Sequence, residues 1–153
     1  MIYPTKPKNF KSKHDVVSCF LEYNGEILLL HRPEHKNQGG KWGVPAGKTE
    51  NGETLVQAII RELREETSFV LAEEKKLLYF GKMFVKHPAY DFTYHIFHLP
   101  LSEKPNIILN PEEHQDFRWI TPKDSLKIDL VTDQDTCVKL FYKLTLEKSY
   151  FPC

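Results

Sequence analysis

The sequence predicts an α/β fold in which a mixed sheet is covered by helices. Three observations carry that prediction. β-like runs fall before, between and after helical segments. Two of them are joined by Asn24-Gly25, the strongest short hairpin signal, because both turn residues need positive φ. A central helix is announced by Thr54 with Gln57 three positions on, a capping-box pattern, followed by Leu55, Ile59 and Leu63 at helical spacing.

Taken in order, residues 1–13 carry Lys6, Lys8, Lys11 and Lys13 and no acid. They read as a solvated basic N-terminal tail ahead of a domain over 14–153, with an anion-gathering arm as the alternative. Residues 16–23 and 26–31 form the predicted hairpin. Pro33 and Gly39-Gly40 make 31–41 a loop, and 42–45 a short strand. The capped helix spans Leu55 to Thr67. Two longer strands are expected over 77–87 and 92–99, divided by Pro88-Ala89-Tyr90-Asp91. A Pro- and Asn-rich loop over 100–111 holds one apolar piece, Ile107-Ile108-Leu109. A last strand is expected from Asp116 to Ile120. Thr132 with Asp135 then opens a final amphipathic helix reaching about Lys148.

Composition narrows the class. The 153 residues amount to about one domain, which needs no disulfide or structural metal to fold. Hydrophobic residues make up 41% and charged residues 27%, as in an ordinary soluble globule. Lys+Arg 21 balances Asp+Glu 21, so the basic surplus typical of proteins that live on long nucleic acid is missing. An anionic partner is therefore expected to be small. The longest aliphatic run, Ile27-Leu28-Leu29-Leu30, falls far short of the roughly 20 residues that span a bilayer. Residues 1–13 do not resemble a signal peptide. Cys19, Cys137 and Cys153 are odd in number, widely spaced and without a CxxC pair, against both a disulfide framework and a thiolate zinc site. A cytoplasmic protein is expected, monomeric in the plainest reading, with a homodimer open.

The segment Arg61-Glu62-Leu63-Arg64-Glu65-Glu66 departs from an ordinary solvated helix face. At about 100° per residue with Glu62 at zero, Leu55, Ile59, Leu63, Val56 and Ile60 span an apolar arc from about 20° to 160°. Gln57, Arg64 and Arg61 define the wet side. Glu65 falls outside the arc, Glu62 at its border and Glu66 inside it. The three acids repel one another at i,i+3 and i,i+4, by roughly 0.2–0.5 kcal/mol a pair. They also crowd the helix C-terminus, where the macrodipole disfavours negative charge. Partly buried, mutually repelling carboxylates persist with a proton or a cation. Hard oxygen ligands at this spacing suit Mg²⁺ or Mn²⁺ shared with phosphate oxygens. A solvated acidic face remains the alternative.

Gly47, Glu53 and the run Arg61-Glu62-Leu63-Arg64-Glu65-Glu66-Thr67-Ser68-Phe69 resemble the Nudix box, G-x5-E-x7-R-E-U-x-E-E-x-G-U. Every specified position fits except Ser68, where the family has glycine. Trp42-Gly43-Val44-Pro45-Ala46-Gly47-Lys48 resembles the family's strand leading into the box. Glu113-His114-Gln115-Asp116-Phe117-Arg118-Trp119-Ile120 resembles its downstream strand, so the likeness covers roughly 14–148. The resemblance implies an α/β/α sandwich with a mixed sheet, and Mg²⁺- or Mn²⁺-dependent hydrolysis of a nucleoside diphosphate linked to another group.

Carried over position by position, it implies that Glu62, Glu65 and Glu66 bind metal, Glu66 most firmly, with the Ala46 carbonyl a further ligand. Glu62 or Glu113 would be the base. Arg61 and Glu53 would form a structural ion pair. Lys41 and Arg32, flanking the loop before the box, are candidates to steer phosphate. Ser68 at a helix C-terminus, where glycine eases a left-handed cap, would cost about 1 kcal/mol.

Other residues inform less. His95 and His98 on one strand point to opposite faces, against a shared zinc among His87, His95, His98 and His114. Tyr90, Tyr94, Phe84 and Trp119 are core candidates, with base stacking by one of them as the alternative. Cys19 reads as a small buried hydrophobe. An isomerase of the same fold acting on a prenyl diphosphate would need an active-site cysteine near a histidine, and Cys19 near His14 is a poor match. A catalytically silent nucleotide-binding domain would have no reason to keep three repelling acids. Where ADP-ribose-cleaving relatives carry proline past the box stand Phe84 and Val85, and the tyrosine of diadenosine-polyphosphate relatives is replaced by Val85, Lys86 and His87. Elimination favours nucleoside triphosphates, with nucleotide sugars as the alternative.

Overall fold

The computed structural model describes residues 1–144. In chain order the elements are β1 (Ile2–Tyr3), β2 (Ser12–Tyr23), β3 (Glu26–His31), β4 (Trp42–Gly43), β5 (Ala46–Lys48) and α1 (Leu55–Thr67). A 3₁₀ turn (Glu74–Lys76) precedes β6 (Leu78–Lys86), β7 (Asp91–Leu101), β8 (Asp116–Ile120), α2 (Pro122–Ser125) and α3 (Gln134–Tyr142). The sheet runs β1-β6-β7-β2-β3-β4, with β5 also on β2 and β8 on β3. It is mixed: β2 lies parallel to β7, and the other pairings are antiparallel. No described helix is long and apolar enough to cross a membrane.

Strand alternation builds two cores. Val17, Cys19 and Leu21 of β2 and Leu28 and Leu30 of β3 face one way, against Ala58, Ile59 and Leu63 of α1. Phe20, Ile27 and Leu29 face the other way, against Cys137 and Val138 of α3. Both faces of β3 are covered, which is why Ile27-Leu28-Leu29-Leu30 reads as an unbroken apolar run rather than an alternation.

The hairpin is tight. Tyr23 pairs with Glu26, and the intervening Asn24 (φ 49°) and Gly25 (φ 79°) are both left-handed. The cap of α1 is complete: Gln57 N donates to Thr54 Oγ1 at 3.1 Å, and Thr54 N to Gln57 Oε1 at 2.9 Å. The helix ends at Ser68, which takes the left-handed conformation (φ 63°) despite its Cβ. Its hydroxyl donates to Ile108 O at 3.0 Å, while Ile108 N donates to Thr67 O at 3.0 Å. The loop after β7 thus compensates the cap.

Three expectations are corrected. Residues 1–13 are not a tail separate from the domain: Ile2 and Tyr3 pair with Val85 and Phe84, and Ile2 and Phe10 are buried. The four lysines are exposed, Lys6 and Lys8 between these apolar anchors and Lys11 and Lys13 just after Phe10. The strand expected over 42–45 is divided, because Val44 and Pro45 pass between β4 and β5. The last helix does not open with a Thr132–Asp135 box: its N-cap is Asp133, left-handed at φ 67° and without a side-chain cap bond. The segment before it is pinned to β4 instead, through Trp42 N to Asp129 O and Val131 N to Trp42 O, each 2.8 Å. The expected end near Lys148 lies outside the described residues.

Candidate active site

Arg61 organises the acidic end of α1. Its guanidinium grips Glu53 with two bonds, Nε to Oε2 at 2.7 Å and a terminal nitrogen to Oε1 at 2.9 Å. The same group reaches Glu62 at 2.8 Å, Glu65 at 3.2 Å and the Lys48 carbonyl at 3.0 Å. Glu53 also accepts from Glu50 N at 2.8 Å. These bonds, Arg61's first, hold the Glu53 carboxyl down at about 2. Arg61 therefore ties the loop before α1 to the helix and faces four carboxylates, those of Glu50, Glu53, Glu62 and Glu65.

The acids are buried in the order the helical wheel gives. Glu65 is about half exposed (side chain 52%), Glu62 is mostly covered (13%) and Glu66 is buried (9%). Glu66 Oε1 accepts the Ala46 N–H at 3.0 Å, and it is this amide, not the Ala46 carbonyl, that the structure directs at Glu66. Glu66 Oε2 lies 3.5 Å from His114 Nδ1. Burial depresses the His114 imidazole to about 4, with the Arg32 charge adding to it, so near neutrality this contact is not an ion pair. Burial drives the Glu66 carboxyl well above the carboxylate range, and the Glu62 charge drives it further. Burial also raises Glu62, against the pull of Arg61.

A buried carboxylate beside a second one, with no cation of its own, is a place for a proton or a divalent ion. The donor set is all hard oxygen, which fits Mg²⁺ or Mn²⁺. Among the described residues no three His, Cys, Asp or Glu side chains converge into a complete cage. Glu62 and Glu66 face each other, while Glu65 turns to Arg61 and solvent. Glu113 is exposed on the loop after Asn110, near enough for its charge to raise Glu66.

A cavity of about 220 Å³ lies between the sheet and α3, and Glu66 alone of these acids lines it. Its lining includes Glu66, Ala46, Arg32, Tyr94, Phe92 and Gln134. Of the two phosphate-steering candidates Arg32 lines it, with its Nε bonded to Asn37 O at 2.7 Å. Lys41 is half-buried in the adjoining loop and is not part of the lining. Of the stacking candidates only Tyr94 lines it; Phe84 packs edge-on to Phe10 and Tyr90 stacks on His87. His114 and Gln134 were not singled out as site residues by sequence reasoning. His114 follows Glu113 directly, but only its burial reveals a role. Gln134 reads as an ordinary helix residue until the helix is known to begin there.

The NUDIX domain family matches residues 12–141, most of the chain. The CTP pyrophosphohydrolase of Escherichia coli strain K12 is 32% identical over 132 residues, covering 85% of this chain and 92% of that protein. The nucleoside triphosphatase NudI of Escherichia fergusonii is 31% identical, covering 75% and 86%. A shorter match, 36% over 56 residues, joins 37% of this chain to half of the 8-oxo-dGTP diphosphatase of Proteus vulgaris. Among solved structures, the MutT protein of Methanosarcina mazei Go1 superposes with a TM-score of 0.71 at 22% identity, covering 90% of this chain and 96% of that one. The chain belongs to the Nudix hydrolase family. It is an enzyme of pyrophosphate bonds, built as the family's α/β/α sandwich.

Proposed function

We propose that the protein is a Mg²⁺- or Mn²⁺-dependent pyrophosphohydrolase of nucleoside diphosphates linked to a further group, with nucleoside triphosphates the favoured substrates. The observation that carries this reading is Glu66: a carboxylate buried beside Glu62, without a cationic partner, in the lining of a cavity of about 220 Å³. Glu62, Glu65 and Glu66 would hold the metal. The bound cation would neutralise phosphate charge and lower the pKa of a water for attack at phosphorus. Glu62 or Glu113 would be the base that accepts a proton from the attacking water. Arg32 meets phosphate oxygens from the cavity wall, and Lys41 adds its charge from the adjoining loop. Arg61 and Glu53 touch no substrate and keep the loop and helix in register.

The substrate preference draws support from relatives whose names specify CTP, nucleoside triphosphates and 8-oxo-dGTP. The prenyl-diphosphate alternative is disfavoured by chemistry: Cys19 is fully buried and Cys137 is pushed by burial up to about 12, so neither thiol is poised to react. A cytoplasmic location goes with this reading, since the cysteines form no disulfide pattern. The test is a panel of nucleoside triphosphates and nucleotide sugars, with product analysis in Mg²⁺ and in Mn²⁺. Release of a nucleoside monophosphate from a triphosphate is expected. Turnover confined to nucleotide sugars would move the substrate class, and no turnover of any member would favour a silent binding domain.

A further inference from the structure

Lys13 and Tyr90 take no part in the proposed chemistry, yet the structure brings them together. The turn between β6 and β7, His87-Pro88-Ala89-Tyr90, folds against the start of β2, and four rings meet there. His14 lies face-on to Phe92, with ring centroids 5.4 Å apart and planes 5° from parallel, and 5.1 Å from Tyr90. Tyr90 in turn stacks on His87 at 5.0 Å. His87 is exposed, but its ring is fixed: Ala89 N–H donates to His87 Nδ1 at 3.2 Å, and His87 N–H to Tyr90 O at 3.1 Å. A ring cluster that ends in a fixed, exposed face is a stacking platform, because every base offers a π-face.

Two cations flank the rings. Lys13 Nζ lies 5.4 Å and Lys48 Nζ 6.0 Å from the centre of the Tyr90 ring, and both lysines are exposed. The neighbouring acids are already taken. Asp91 accepts from Lys86 Nζ at 3.3 Å and from Lys11 N at 2.9 Å, and Asp15 pairs with His95 Nε2 at 2.8 Å. Among the described residues neither Lys13 nor Lys48 forms an ion pair. Burial, and then the charges of Lys48 and Lys13, hold the His14 imidazole below its ordinary value, so the positive field here is the lysines' own. The zero net charge of the chain thus conceals a local basic surface. Of these residues only Phe92 lines the cavity, so the surface adjoins the candidate active site without belonging to it. None of the large, exposed hydrophobic side chains of the described residues lies on it, and no apolar wedge is there to enter a lipid layer.

We propose that this surface binds single-stranded nucleic acid, with bases stacked on the His87–Tyr90 pair and backbone phosphates held by Lys13 and Lys48. The footprint is short, about two phosphates, one for each lysine. That suits a short strand and not a long duplex, which needs a wide basic face.

The test is fluorescence anisotropy of the full chain with 5′-fluorescein-labelled octathymidylate, with chelator present so that neither metal nor turnover contributes. Saturable binding is expected, weakening with salt at a log–log slope of about −1.4, from about 0.7 per phosphate contact on a single strand. The double variant Lys13→Ala, Lys48→Ala should lose about tenfold in affinity and flatten the slope. Tyr90→Ala should lose about tenfold with the slope kept, the scale of one stacked base. His87→Ala removes an exposed ring, so its expected loss of about fivefold cannot come from misfolding. An abasic strand of the same length and inorganic polyphosphate should both bind at least about tenfold more weakly, and phosphatidylserine vesicles should not displace the strand. Glu66→Gln should bind it as the wild type does. The proposal is overturned by no binding at about 0.1 mM protein, or by an abasic strand or polyphosphate that binds as well as octathymidylate. Displacement by the vesicles, an affinity unchanged in the lysine pair or in His87→Ala, or a loss in Glu66→Gln that places the strand in the cavity overturns it equally. Octathymidylate carries no pyrophosphate bond, so this outcome is independent of whether nucleoside triphosphates are hydrolysed.

Discussion

Gly47 and Glu62 are in contact that admits no side chain at residue 47: a Cβ there would lie 2.2 Å from the Glu62 carboxyl carbon. The backbone of β5 thus runs directly under a carboxylate that Arg61 holds from the other side at 2.8 Å. Glycine is needed here for close approach. Gly47→Ala should leave the fold intact, because the displaced atoms are the end of a side chain. It should shift the Glu62 carboxylate and lower kcat/KM by about 10²-fold, the scale of a 1 Å misplacement. Unchanged kinetics with unchanged thermal stability would show that the Glu62 position is not used.

Glu66 predicts an inversion between stability and activity. Its folded pKa is raised above the ordinary value near 4.5, so its favourable linkage is complete below that value and is lost as pH rises through the folded pKa. Metal-free Glu66→Gln should accordingly be more stable than the wild type near pH 8, with the gap closing as pH falls towards 4.5. Mg²⁺ or Mn²⁺ should raise the wild-type Tm by several degrees, since a ligand at a hundredfold excess over Kd adds about 2.7 kcal/mol, and the variant should lose most of that rise. Thermal scans with monovalent salt at matched ionic strength provide the control.

For Glu53 the sign reverses. Its pKa falls from about 4.5 to about 2 through Arg61 and Glu50 N, so its stabilisation is full above 4.5 and is lost as pH falls towards 2. Arg61→Ala should lower stability and activity together and flatten the wild-type loss of stability across that window. A variant with wild-type Tm and a slowed chemical step alone would make Arg61 a chemical rather than a positioning residue.

Ser68 offers a balance of two small effects. Ser68→Gly releases the left-handed strain, about 1 kcal/mol, but removes the bond to Ile108 O, which is of similar size. It should be close to neutral in denaturant unfolding. Ser68→Ala keeps the strain and loses the bond, and should destabilise by about 1 kcal/mol.

The contrast between Thr54 and Asp133 shows what was legible in the sequence. Thr54 and Gln57 cap α1 through local bonds, so residue type and spacing were enough, as they were for Asn24-Gly25 and for the burial order of Glu66, Glu62 and Glu65. The start of α3 depends on bonds from Val131 and Asp129 to Trp42, far away in the chain, and no local pattern encodes them. The same holds for β1, where Ile2 and Tyr3 pair with Val85 and Phe84 of β6, beyond four strands and a helix of intervening chain. The acids of the site could be read because a helix repeats them on one face. Gln134 and His114 could not, because only the packed structure brings them to the cavity wall.

In the proposed activity the Glu62–Glu66 pair holds a divalent ion for cleavage of a pyrophosphate bond. Hydrolysis of CTP and of the other nucleoside triphosphates, followed by phosphorus NMR of the products in Mg²⁺ and after exhaustive chelation, tests it most directly in wild type and Glu66→Gln. Nucleoside monophosphate and pyrophosphate are expected from the wild type with metal, none after chelation, and a kcat lower by orders of magnitude in Glu66→Gln. Wild-type turnover that survives chelation, or a Glu66→Gln variant as fast as the wild type, would contradict it.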